Sequence, residues 1–131
     1  MIEKLTIPGE LPGLNEIIAM SKEHWAKYAG EKHSRTEEIA WLAKREIKGK
    51  YQKVDLVFTW YCKNMKRDKD NIIAGQKFVI DGLVAAGVIE NDGWKQIRNI
   101  FHYFEIDNKN PKVVYIFWVP LWCFFIFGYF W

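Results

Sequence analysis

Val54-Asp55-Leu56-Val57-Phe58-Thr59-Trp60-Tyr61-Cys62 decides the fold class. Leu56, Phe58, Trp60 and Cys62 fall on one face of an extended chain and Val57, Thr59 and Tyr61 on the other, the period-two pattern of a strand that contributes to a core. Upstream, residues 3–7 predict a short strand stopped by Pro8-Gly9, with another turn at Pro12-Gly13. Asn15 can cap a helix that carries Ile17, Ile18 and Trp25 and ends near Gly30. Ser34 followed by Glu37 has capping-box spacing and predicts a second helix, with Ile39, Leu42 and Ile47 on its apolar side. Lys44, Arg45 and Lys48 fall in its last turns, where cations suit the helix dipole.

Downstream, Asp70 or Asn71 can cap a helix over 71–86, ended by Gly87 in the left-handed position a helix terminus favours. Glu90-Asn91-Asp92-Gly93 reads as a turn, and residues 96–106 and 112–118 as two strands joined in a hairpin through 107–111. The order strand, helix, helix, strand, helix, strand, strand predicts an α/β (α+β) domain, a small mixed sheet with helices packed on it, over residues 1–118. Residues 119–131 form a separate apolar tail: Val113–Trp131 holds ten of the 22 aromatic residues and no charged one. Three uses compete for the tail: cover for a dimer interface, a membrane anchor, or a non-native extension from a shifted reading frame, the last being favoured. Pro120 interrupts the apolar run and no basic residue follows it, which argues against a membrane span.

The net charge of +3 is modest, but Lys63, Lys66, Arg67 and Lys69 cluster within seven residues. Cys62 and Cys123 lack metal-type spacing and form no disulfide framework, and the N-terminal residues lack the apolar core of a signal peptide. A reducing, cytoplasmic setting is expected.

The basic cluster surrounds Asp68 and Asp70. Two carboxylates at i and i+2 after a strand can share a hard cation, and Mg²⁺ takes a few carboxylate oxygens while keeping waters that a substrate displaces. Cations packed around such a pair suit a phosphodiester ligand. On one continuous helix, Asp70, Lys77 and Asp81 would fall at about 0°, −20° and +20°, a single polar stripe on which Lys77 leans back toward Asp70. A solvated face with a Lys77–Asp81 pair explains the same spacing.

Arg67-Asp68-Lys69-Asp70-Asn71, then Lys77, then Phe78-Val79-Ile80-Asp81-Gly82-Leu83 and Gly87-Val88-Ile89-Glu90-Asn91-Asp92, resembles the signature of RusA-type Holliday-junction resolvases, closest to the phage and prophage branch. Ile7-Pro8-Gly9 with Leu14-Asn15, and Asn110-Pro111-Lys112-Val113, resemble the start and the final-strand approach of that family. The resemblance covers about residues 5–117 and implies a homodimeric, Mg²⁺-dependent endonuclease, with Mn²⁺ as a second candidate ion, that cuts four-way DNA junctions symmetrically. It implies that Asp68, Asp70 and Asp92 are the metal-binding and catalytic acids and that Lys77 is the catalytic lysine. The chain departs from the family spacing by three residues inserted between Asp70-Asn71 and Lys77. Lys63, Lys66, Arg67, Lys69, Lys95 and Arg98 are the expected DNA contacts; Asn71, Asp81 and Glu90 are candidate supporting residues.

Other residues have less specific readings. His24, His33 and His102 share no ligand spacing, and Trp25, Trp41 and Trp60 are expected in the core. Two other functions compete with the nuclease: a branched-DNA-binding module that does not cut, and a protein tethered to a membrane by its tail. A sugar transferase using the Asp-x-Asp pair would need a longer chain.

Overall fold

The computed structural model describes the backbone of residues 2–118 and the side chains of 3–115, so the expectations for 119–131 lie outside the described residues. Eight elements follow one another: β1 (Ile2–Pro8), α1 (Leu14–Glu23), α2 (Trp25–Glu46), β2 (Val54–Cys62), α3 (Lys69–Ile73), α4 (Gln76–Ala85), β3 (Ile97–Ile106) and β4 (Lys112–Trp118). They form the predicted α+β domain, a four-stranded mixed sheet in the order β1-β4-β2-β3.

The alternation of β2 is realised residue by residue. Leu56, Phe58, Trp60 and Cys62 are buried, while Val57, Thr59 and Tyr61 are half-buried on the opposite face. Phe58 stacks on Trp60 at 5.5 Å between ring centroids and lies 5.1 Å from Tyr115 in β4. Leu5, Ile7, Ile39, Phe78, Val79 and Leu83 close the core from β1, α2 and α4.

The hairpin expected between the last two strands does not form. β3 runs parallel to β2 on one side, and β4 runs antiparallel to β2 on the other, where it also pairs with β1. A strand buried this thoroughly belongs in the middle of its sheet, so β2 takes both neighbours. The 107–111 connection crosses the end of β2, where the Asp107 N–H donates to the Cys62 carbonyl at 2.8 Å. A parallel pair needs a crossover, and α3 with α4 supplies it.

The helices also depart from the local signals. α1 stops at Glu23, His24 is extended, and α2 then runs unbroken through Gly30 and Ser34, positions that had suggested a stop and a start. Ion pairs Glu31–Arg35 at 2.9 Å and Arg35–Glu38 at 3.6 Å, with a His33–Glu37 contact at 3.1 Å, stitch the helix across that point. Trp25 and Trp41 on this helix are 74% and 61% exposed, so of the three tryptophans expected inside only Trp60 is buried. α4 lies so close to α2 that a Cβ on Gly82 would sit 2.5 Å from Ile39 Cγ2.

The helix expected over 71–86 is two helices. Between α3 and α4 the backbone tightens into i→i−3 bonds, from Gly75 N–H to Ile72 O and from Phe78 N–H to Gly75 O. Tertiary packing imposes the break, because Gly75 is pressed between Leu11 and Trp60. The far end behaves as expected: Gly87 has φ +76, its N–H bonds to Val84 O, and the Val88 N–H bonds to Leu83 O, a Schellman closure.

Candidate functional site

The chain leaves β2 at Cys62 and turns through the basic cluster into α3, for which Asp68 is the N-cap residue and Asp70 lies in the first turn. Both aspartates line one cavity of about 580 Å³, whose other walls include Met65, Lys69, Ile72, Phe104, Glu105 and Ile106. The Lys69 ammonium stands over the Phe104 ring at 5.3 Å, and Met65 and Ile106 are exposed at the rim. The wall thus combines carboxylates, cations and an apolar shelf. Cys62 also lines the cavity, and burial pushes its thiol up, so it presents a neutral S–H rather than a thiolate.

The expected DNA contacts divide into three groups. Lys66, Lys69 and Lys95 are exposed. Lys63 and Arg67 are tethered by Glu10, at 3.6 and 3.4 Å, and Arg67 also donates to the Leu11 carbonyl at 3.0 Å and reaches Glu16 at 3.5 Å. These contacts pin the basic loop to the segment after β1. Arg98 has a different partner: its guanidinium forms a two-point ion pair with Asp55, which is fully buried in β2. The ladder between β2 and β3 slips by one residue at Val54/Asp55, and Arg98 is the extra residue. An aspartate in an otherwise apolar strand was the available sign that some cation had to reach it.

Lys77 does not extend toward Asp70, because the break between the helices removes the stripe expected on one continuous helix. Its ammonium instead meets Asp81 at 2.9 Å and Asp92 at 3.0 Å, and Asp81 continues to Lys32 of α2 at 3.6 Å. Hydrogen bonding first to Asp81 and then to Asp92 holds the Lys77 ammonium above the usual lysine range, while its own bond lowers Asp92. At neutral pH Lys77 is therefore a cation and donor, not a base.

Asp92 lines a different groove, beside Ile80, Trp94 and the first residues of β3, whereas the cavity of Asp68 and Asp70 lies at the far end of that strand. The expected three-aspartate set is therefore not assembled. Among the described residues, no group of three or more His, Cys, Asp or Glu side chains is placed to hold a metal ion. Asp68 and Asp70 do share one cavity, whose lining includes a third carboxylate residue, Glu105. Glu90 is exposed and faces a third hollow, with Tyr51 and Val88.

Asn71 has a role that sequence reasoning missed. The N-cap of α1 is Gly13 rather than Asn15, and Gly13 has no side chain with which to cap. The Asn71 Oδ1 accepts the Asn15 N–H at 2.9 Å, capping α1 from another element. A Cβ on Gly13 would lie 2.7 Å from that oxygen, which explains the glycine. His102 accepts a hydrogen bond from Trp60 Nε1 at 3.0 Å, and burial lowers its pKa.

No helix among the described residues is long and apolar enough to cross a membrane. Comparison with protein-family models and with curated proteins finds no match to the chain.

Proposed function

We propose that the protein is a RusA-type endonuclease, dependent on Mg²⁺ or Mn²⁺, that acts in the cytoplasm as a homodimer and resolves four-way DNA junctions by paired nicks. The observation that carries this reading is the single cavity beyond β2 lined by Asp68 and Asp70, with exposed Lys66 and Lys69 beside it. Asp68 and Asp70 would hold the cation, whose contribution when bound is to polarise the scissile phosphate.

The chain's own residues do the rest. Lys66 and Lys69 bind the flanking phosphates, and Lys95 extends that contact. Arg67 and Lys63, anchored through Glu10, fix the loop that carries both aspartates. Lys77 keeps Asp92 ionised and can offer a proton or a charge to a departing oxygen when that groove meets the substrate. A two-fold pair of subunits would match the pseudo-two-fold symmetry of an open junction.

The test is incubation of the protein with a synthetic four-way junction and a matched linear duplex, with Mg²⁺ or with EDTA. Symmetric nicking of the junction alone, in Mg²⁺ alone, is expected. Asp70→Asn should bind the junction and cut it at least about 100-fold more slowly; cutting near the parental rate refutes the assignment. The separation of Asp92 from the other two aspartates favours one second reading, a module that binds branched DNA without cutting it. Tight junction binding with no Mg²⁺-dependent product would establish that reading instead.

A further inference from the structure

A second basic surface lies away from the cavity. Residues 44–53 contain five cations, Lys44, Arg45, Lys48, Lys50 and Lys53, against one acid, Glu46. The segment's net +4 exceeds the +3 of the whole chain, so the remainder is slightly acidic. Trp41, Lys44 and Arg45 follow the i, i+3, i+4 spacing of one helical stripe over the last turns of α2, and all three are exposed; Lys48, also exposed, follows just past the extended C-cap residue Ile47. The Arg45 guanidinium lies 4.7 Å over the Trp41 ring, which leaves a large, flat, amphipathic pair facing solvent.

Helix-dipole compensation accounts for Lys44 and Arg45 in the final turn of α2, but Lys48, Lys50 and Lys53 lie beyond the helix. Intramolecular pairing does not account for them either. Lys27, Lys32, Arg35, Lys63, Arg67 and Lys77 are matched by carboxylates, whereas Lys44, Lys50 and Lys53, like Lys66 and Lys69 at the cavity, have no ion-pair partner among the described residues.

We propose that this surface, Trp41 with Lys44–Lys53, binds the phosphate backbone of duplex DNA at a distance from the cut. The inference rests on the nuclease reading above and adds a second contact to it. The segment abuts the start of β2 and the aspartate cavity lies beyond its end; the eight steps between the first and last of the nine strand residues span roughly 26 Å at about 3.3 Å per step. That span corresponds to about 8 base pairs at about 3.4 Å per step. The surface therefore meets a junction arm only if the arm is longer than about 8 base pairs.

The experiment compares the full-length protein with a Lys44→Ala/Lys50→Ala/Lys53→Ala variant, binding junctions with arms of about 6 or about 20 base pairs in EDTA across a salt series. On long arms the variant should bind at least about tenfold more weakly, with a log–log salt slope shallower by about 2.7, or about 0.9 per lost phosphate contact. On short arms the two proteins should be equal. A Lys→Arg triple variant should restore long-arm binding. Equal long-arm affinity and slope in parent and Ala variant overturn this surface and leave the nuclease reading standing. Failure of the Arg variant to restore binding also overturns it, since charge is then not the cause. A parent that binds phosphatidylserine vesicles but no junction overturns both readings.

Discussion

Arg98 had the profile of a DNA contact, and the structure gives it a partner inside the protein. Asp55 is completely buried in the central strand, and the Arg98 guanidinium meets both of its carboxylate oxygens from the slipped residue of β3. Arg98→Ala leaves that carboxylate in a dry site without its counter-ion. Breaking a buried pair from one side costs about 3–5 kcal/mol, far more than the 0–1 kcal/mol typical of a surface pair. With a urea m-value of about 2 kcal/mol/M, the unfolding midpoint should fall by about 1.5–2.5 M. Replacing both members, Asp55→Leu with Arg98→Met, should recover most of that loss, because no unpaired charge remains. Urea denaturation of the two single variants and the double variant measures the coupling directly. A loss under about 1 kcal/mol in Arg98→Ala, or additive effects in the double variant, refutes the pairing argument. The same result decides the interpretation of binding assays: weaker DNA binding by Arg98→Ala would then report the fraction folded, not a lost phosphate contact.

Three further outcomes follow from the geometry. Asn71→Ala should destabilise the protein by about 1 kcal/mol by uncapping α1, seen as a lower melting temperature. Lys77 and Asp92 predict stability limits at both ends of the pH scale. The lowered Asp92 contributes above the ordinary aspartate value of 3.8 and loses that contribution as pH falls through its folded pKa; the raised Lys77 contributes below 10.5 and loses it as pH rises through its folded pKa. Lys77→Met should flatten both limbs of a melting-temperature profile. His102, lowered by burial, contributes its share above the ordinary histidine value of 6.5 and loses it as pH falls through the lower folded pKa. Protonation also removes the acceptor for Trp60 Nε1, so tryptophan fluorescence should change over the same range, and His102→Gln should abolish the change.

Strand β2 was legible in the sequence because its signal is local: each inward residue is apolar, and nothing elsewhere in the chain competes with it. The two helical misreadings have different origins: Gly30 and Ser34 are outweighed by i,i+3 and i,i+4 pairs within α2 itself, whereas the helix-friendly run over 71–86 is overruled by contacts distant in the chain. Surface ion pairs carry α2 through the first two, and Leu11 and Trp60 pressing on Gly75 divide the third. The expected hairpin failed for a related reason, because a short polar connection fits a tight turn or a step across a strand end equally well. At the site, Asp68 and Asp70 were readable from their spacing, being two residues apart on one short segment. The placement of Asp92 and the partner of Arg98 depend on how α4 and β3 dock, and spacing along the chain does not encode that.

The strand order also has a consequence during synthesis. β1 emerges first, yet its partner β4 lies roughly a hundred residues later, and Ile7 meets Val113 only after the rest of the domain has been made. At typical elongation rates of about 5–20 residues per second, the opening strand waits roughly 5–20 s with Leu5 and Ile7 unburied. For roughly the second half of that interval β2, once made, also lacks β4 and exposes an apolar edge. A nascent chain stalled before β4 should therefore be retained by chaperones that bind extended apolar segments, and release should coincide with translation of Val113–Tyr115.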